Sequence, residues 1–223
     1  MTGSVYINRL SAWAPGIGCR SEWNEWALGS RNMSSDQKGP ELSFTEPMFR
    51  RRLSQISKMT IQVIHDLMPF SDDTKIFFLS FRGEISRQYQ INKMLIEEKT
   101  LSPAAFSLSV FNAPAALASM ALGLKGGYTA VYPGKNSFCT GIKGAIAALL
   151  GGASEELVFV YADEEVQPEY GCFFSGIPPA AAFALLLSKT PLPQSILFLP
   201  ADEQETPLAF LKKLLDRGLY VSP

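Results

Sequence analysis

Apolar and polar positions alternate loosely over Val5–Trp13, which predicts a first strand closed by the turn residues Ala14-Pro15-Gly16. Trp23–Leu28 is patterned as a short helix. Residues 29–48 are rich in Ser, Asn, Pro and Gly and predict an exposed loop. A strong helix opens at Phe49-Arg50-Arg51-Arg52-Leu53-Ser54. Leu53, Ile56, Thr60, Val63, Ile64 and Leu67 keep its period, and Pro69 ends it. Lys75–Leu79 is an apolar and aromatic strand, followed by Ser80-Phe81-Arg82-Gly83 and a helix from about Glu84 to Glu98. Leu101–Leu122 is a further helical stretch dominated by small apolar residues.

The stretch Leu122–Glu164 organises the rest. A turn built on Gly123, Gly126 and Gly127 leads into a short strand, Tyr128–Tyr132, and a corner at Pro133-Gly134. A small-residue helix with Gly141, Gly144, Ala145 and Ala148 ends at Gly151-Gly152, and the strand Leu157–Ala162 follows. A strand that feeds a helix through a tight corner holds the corner residue at the helix N-terminus, where free N–H groups favour negative charge. Further on, Ala180–Ser188 is a continuous apolar run, as expected for a strand covered on both faces. Ser195–Pro200 is predicted to pair with it as a hairpin across Thr190-Pro191. The last helix has Thr206 as N-cap, Pro207 in its first turn, Leu208, Leu211, Leu214 and Leu215 on one face, and Gly218 past its end.

Composition narrows the picture. A chain of 223 residues with 47% hydrophobic and 18% charged residues suits a single globular domain, 1–223, with a substantial core. The net charge of −1 argues against a nucleic-acid partner. The N-terminus, MTGSVYINRL, lacks the basic and apolar regions of a signal peptide, and the longest apolar run, Ala180–Leu187, is too short to span a bilayer. Cys19, Cys139 and Cys172 are odd in number and lack metal-ligand spacing, so reduced thiols in a cytoplasmic protein and no metal are expected. The single histidine, His65, sits on the helix after the arginines and reads as structural. Arg50, Arg51 and Arg52 read first as a solvated helix start, and more weakly as a contact for an acidic carrier protein.

The central grammar resembles the N-terminal half of the β-ketoacyl synthases, the condensing enzymes of fatty acid and polyketide synthesis. Gly123-Leu124-Lys125-Gly126 matches the turn before the elbow strand, and Gly151-Gly152 matches the end of the buried helix. The family's nucleophilic cysteine then falls on Lys135, with Cys139 four residues further on. The family's thiolate needs the helix N-terminus to lower its pKa, a place that disfavours a lysine cation. A second motif matches at Pro103, Phe106, Ser109, Asn112 and Ala115 or Ala116, a segment that in the family lies by the dimer interface and lines the acyl tunnel. The helix start Arg50–Ser54 and the segment Ser109-Val110-Phe111-Asn112-Ala113 resemble the chain length factor-like proteins of aryl polyene clusters.

The resemblance implies an α/β fold, a thiolase-like three-layer α/β/α domain with a mixed five-stranded sheet, one half of the ketosynthase duplication. The second half carries the family's two catalytic histidines, which this chain does not supply. The implied role is that of a non-catalytic subunit, with no cofactor, that pairs with a full-length β-ketoacyl-ACP synthase and meets an acyl carrier protein transiently. Acyl-tunnel and interface residues would be Phe106, Ser109, Phe111, Asn112, Ala115, Ala116, Met120, Lys135 and Phe138. Tyr128, Thr129, Ala130, Val131, Tyr132 and Pro133 would pair with the partner's strand. Two rivals remain: an acyl-transfer enzyme using Cys139, and a structural or carrier-docking subunit without influence on the product.

Overall fold

The computed structural model describes residues 3–35, 38–134, 137–170, 179–199 and 202–219. Six strands form one sheet: β1 Tyr6–Trp13, β2 Lys75–Leu79, β3 Tyr128–Val131, β4 Glu156–Asp163, β5 Ala181–Ser188 and β6 Ile196–Leu197. Their order is β3-β2-β4-β5-β1-β6. β3, β2 and β4 run parallel, whereas β5 is antiparallel to both β4 and β1, and β6 is antiparallel to β1. The sheet is therefore mixed, as expected, with six strands rather than five.

One pairing differs from the sequence reading. The strand predicted at 195–200 does not form a hairpin with β5; its described part, Ile196–Leu197, lies on the outer side of β1, with Tyr6 opposite Leu197 and Ile7 opposite Ile196. The reason is occupancy. β5 is flanked by β4 on one side and β1 on the other over nearly its whole length, and all eight of its residues are buried. No backbone groups of β5 remain for a third strand. On the open side of β6, the Arg217 guanidinium donates to the Leu197 carbonyl at 2.9 Å.

Helices cover both faces. α1 Arg20–Ala27, α7 Phe138–Gly151 and α8 Pro207–Asp216 cover one face, where Trp23, Phe138, Phe159, Phe183 and Phe210 pack into one core. The other face carries α3 Gln55–His65 and α6 Ala113–Leu122, with Ile56, Ile61, Phe78, Ala115 and Val160 in a second core. Burial of each such large side chain stabilises the fold by roughly 1.5–3 kcal/mol. α7 can lie this close because of Gly141, where an added Cβ would stand 1.9 Å from Leu79 Cδ1.

The helix after the arginines also starts later than its period suggests. α2, Pro47–Arg50, is a single turn; the chain then bends through Arg51 and Arg52, and α3 begins only after Ser54. The Ser54 hydroxyl accepts from the Ser57 amide at 3.2 Å and so serves as the N-cap. The preceding loop is exposed for most of its length but not throughout. Leu42, at φ +50°, is 1% exposed and belongs to the second core. Arg50 Nη1 holds that turn by donating to the Glu41 and Leu42 carbonyls, and Phe44 stacks on His65 with centroids 3.7 Å apart. α4, Ile85–Lys93, runs into a wide π-helical turn at Met94–Glu98, and α5, Pro103–Ser107, is capped by Ser102. No helix among the described residues is long and apolar enough to cross a membrane.

Candidate interface and elbow

Among the described residues β3 is an edge strand, and its backbone register defines what it offers. Ile76 N donates to the Gly127 carbonyl and Ser80 N to the Val131 carbonyl, at 3.0 and 3.3 Å. Groups on successive residues of a strand point to opposite sides, so Gly127, Thr129 and Val131 face β2. Tyr128, Ala130 and Tyr132 present their N–H and C=O groups to the open side. Next to this edge stands α6, whereas α5 packs against α4. Asn112 Nδ2 donates to the Tyr128 hydroxyl at 3.0 Å and ties α6 to the strand. Met120 and Tyr132 are 74% and 59% exposed, and Phe106 and Val110 are also open to solvent.

The expected tunnel residues divide into two groups. Phe106, Ser109, Phe111, Asn112, Ala116 and Met120 are spread over α5, α6 and the turn between them, with α6 packed on β3 and α5 on α4. Within this group Ser109 is buried, its hydroxyl bound to the Phe106 carbonyl at 2.8 Å. Phe111 packs against Phe78, and its ring fills the space that a Cβ on Gly83 would need, 2.8 Å from Cδ2. Ala115 points into the second core and is fully buried. Phe138 is not brought to these residues. It stands on the opposite face of the sheet, ringed by Phe159, Tyr161, Phe183 and Phe210. Lys135 lies outside the described residues, as does Cys172. Pro133 and Gly134 lead into the elbow, Gly134 at φ +86°. Cys139 is 3% exposed in the first turn of α7, inside the core. The three arginines do not form one patch: Arg50 is engaged with the 41–42 turn, while Arg51 and Arg52 are exposed and the Arg52 carbonyl accepts from Arg87.

A buried polar network at the C-terminal ends of β2 and β4 was not anticipated. Asp163 Oδ1 accepts from the Ser80 hydroxyl at 2.6 Å and from the Phe81 and Arg82 amides, each at 3.0 Å. Its Oδ2 accepts from the Tyr161 hydroxyl at 2.9 Å. Burial pushes the Asp163 carboxyl up, against the pull of Arg82, and pushes the Tyr161 hydroxyl well above its usual range. Glu84 Oε1 accepts from the Ser54 and Ser57 hydroxyls, each at 2.7 Å, and Arg87 Nε lies 3.2 Å from Oε2. Glu164 accepts from the Ser86 amide at 2.9 Å and the Ile56 amide at 3.4 Å. Burial pushes the Glu164 carboxyl up to about 7 against those amides, and the nearby Glu84 charge adds to the rise. The available signal was an acidic run, Asp163-Glu164-Glu165, directly after an all-apolar strand.

Comparison with known proteins sets this geometry in context. No curated protein matches the chain. A ketosynthase (ApeO) in complex with its chain length factor (ApeC) from Xenorhabdus doucetiae superposes with a TM-score of 0.68 at 24% identity, covering 85% of this chain and 80% of that one. The ishigamide ketosynthase/chain length factor gives 0.65 at 13% identity, over 83% of this chain and 62% of that one. A type II polyketide acyl-carrier protein in complex with its ketosynthase bound to the hexaketide, AntDE:AntF, gives 0.60 at 14% identity, over 84% and 64%. The chain thus spans less than two thirds of the latter two. At these identities the likeness concerns the fold, which is the thiolase-like fold of the condensing enzymes. The sequence model of the β-ketoacyl synthase N-terminal domain matches residues 23–214, from α1 to the end of α8 but for its last two residues, and by that match the chain belongs to this family.

Proposed function

We propose that this chain is a chain length factor-like subunit, without catalysis of its own, that pairs with an active β-ketoacyl-ACP synthase and shapes the acyl tunnel during polyene or polyketide elongation. The observation that carries this reading is the open edge of β3 among the described residues, with α6 beside it and Asn112 bound to Tyr128, in a chain whose elbow position holds Lys135. An unpaired, aromatic-rich edge invites a strand from another chain, and proteins that stay alone blunt such edges. Asn112 and Phe111 connect this edge to the loop after β2, so a partner docked on β3 also touches the elements that would border a shared cavity. Lysine at the elbow lacks the acyl-accepting thiolate, and the single histidine, His65, is stacked on Phe44 far along α3. The two solved complexes of a ketosynthase with a chain length factor add support from fold. The rival nucleophile, Cys139, is buried in the core and offers no face to a thioester.

The test is co-expression with candidate ketosynthases followed by reconstitution with a carrier protein. The expected outcome is a co-eluting pair that elongates acyl chains, with no product from either chain alone. A ketosynthase that elongates to the same products without this chain would overturn the reading.

A further inference from the structure

We infer that Glu164 is a proton-operated clamp that fastens the first turns of α3 and α4 to the end of β4. One carboxylate reaches both helices. Its Oε1 accepts from the Ser86 amide of α4 at 2.9 Å, and its Oε2 accepts from the Ile56 amide of α3 at 3.4 Å. Both amides belong to first helical turns, whose N–H groups have no partner within the helix. The carboxylate forms part of a cavity of about 310 Å³ between α3, α4 and α5, whose wall includes Arg87, Gln167 and Ala105.

The surroundings make this carboxylate sensitive to protons. The ion pairs nearby go to its neighbours: Arg87 pairs with Glu84, and Arg82 approaches Asp163. Arg82 also donates to Glu164, but at the backbone carbonyl, 2.6 Å away. From α3 the facing groups are neutral, the Ser54 and Ser57 hydroxyls and the Gln55 amide. From the start of α4 come Glu84 and Arg87, and along the chain Asp163 and Glu165 stand on either side. α5 contributes Ala105, and Gln167 closes the rim. A buried carboxylate held by two amides and the Ser86 hydroxyl accepts a proton far more readily than an exposed one. On protonation one oxygen becomes a hydroxyl and can no longer accept at that position. The longer contact, to Ile56, is the weaker and is released first, so the α3 end of the clamp opens while the α4 end holds.

The sign of the effect on stability is set by linkage. The carboxyl is raised from 4.5 to about 7 in the folded chain, so the folded state binds the proton more tightly than the unfolded one. The stability that belongs to the protonated carboxyl is fully present below about 4.5 and is lost as pH rises toward about 7, so the clamp closes on the charged form against the cost of burying that charge.

The measurement is a titration of side-chain carboxyl carbons and backbone amides by NMR on the full chain, in the assembly in which it is isolated. The Glu164 carboxyl carbon is expected to titrate near neutrality, and the Ile56 and Ser86 amides to shift with the same midpoint, Ile56 more strongly. In Glu164→Gln both amides should lose that step. A Glu164 midpoint in the ordinary glutamate range, or amides that stay still while it titrates, would overturn the inference. The wild-type titration decides the matter even where the variant fails to fold.

Discussion

The proposed role gives Phe111, Ala116 and Lys135 separable tasks, and substitution tells them apart. Phe111 fills the space over Gly83 and packs on Phe78, so Phe111→Ala should cost about 2 kcal/mol, less than the roughly 3–5 of a fully buried ring. In the reconstituted pair it should also lengthen the product. Ala116 is half-buried beside the exposed face of α6, so Ala116→Phe adds bulk where a partner would dock and should shorten the product. Lys135→Ala should leave elongation largely intact, because an ammonium at the elbow has no acyl-transfer role in this reading. A mass-resolved product distribution checks all three. Turnover lost in Lys135→Ala with chain lengths unmoved in the other two would assign the chemistry to the lysine. At this scale the sequence was legible for Thr206, read as the N-cap of α8, whose hydroxyl accepts from the Ala209 amide. It was opaque for Glu164. Three consecutive acids look like a solvated turn, and only the folded chain reveals that two helix starts converge on the middle one.

Among the elements, β3 allows a clean test. Ala130 directs its N–H to the open side, whereas Thr129 directs its own toward β2. Ala130→Pro therefore removes a donor only from the edge and should abolish co-elution with the ketosynthase while the chain's melting temperature stays within a few degrees. Thr129→Pro breaks the ladder to β2 and should destabilise the chain itself by about 3 kcal/mol. A complex that survives Ala130→Pro would place the interface elsewhere. The elements themselves were largely readable, since each of β1 to β5, α7 and α8 has its own period, cap or glycine stop. Two features escaped for opposite reasons. The start of α3 was hidden because Leu53 continues the helical period although the helix begins only after its N-cap, Ser54. The place of β6 was hidden because an apolar strand does not state its partner, and that choice depends on which edges the other strands have already filled.

For the whole molecule, the two edges of the sheet differ, and the difference sets the stoichiometry. β3 leaves a row of backbone groups open, so in the proposed pair a partner strand would continue the sheet across the contact. Such an interface, with the flanking face of α6, should bury on the order of 2,000 Å² or more, as obligate complexes do. At the far end, β6 contributes only two residues, and Arg217 already occupies the Leu197 carbonyl that points outward. Polymerisation by strand addition needs a usable acceptor at both ends of each unit, and here the second end is capped from within. Addition at β3 is thus a terminating event. Sedimentation of the reconstituted pair should give a single 1:1 species whose size does not grow with concentration, whereas Arg217→Ala, which bares that carbonyl, is the change that would let filaments begin.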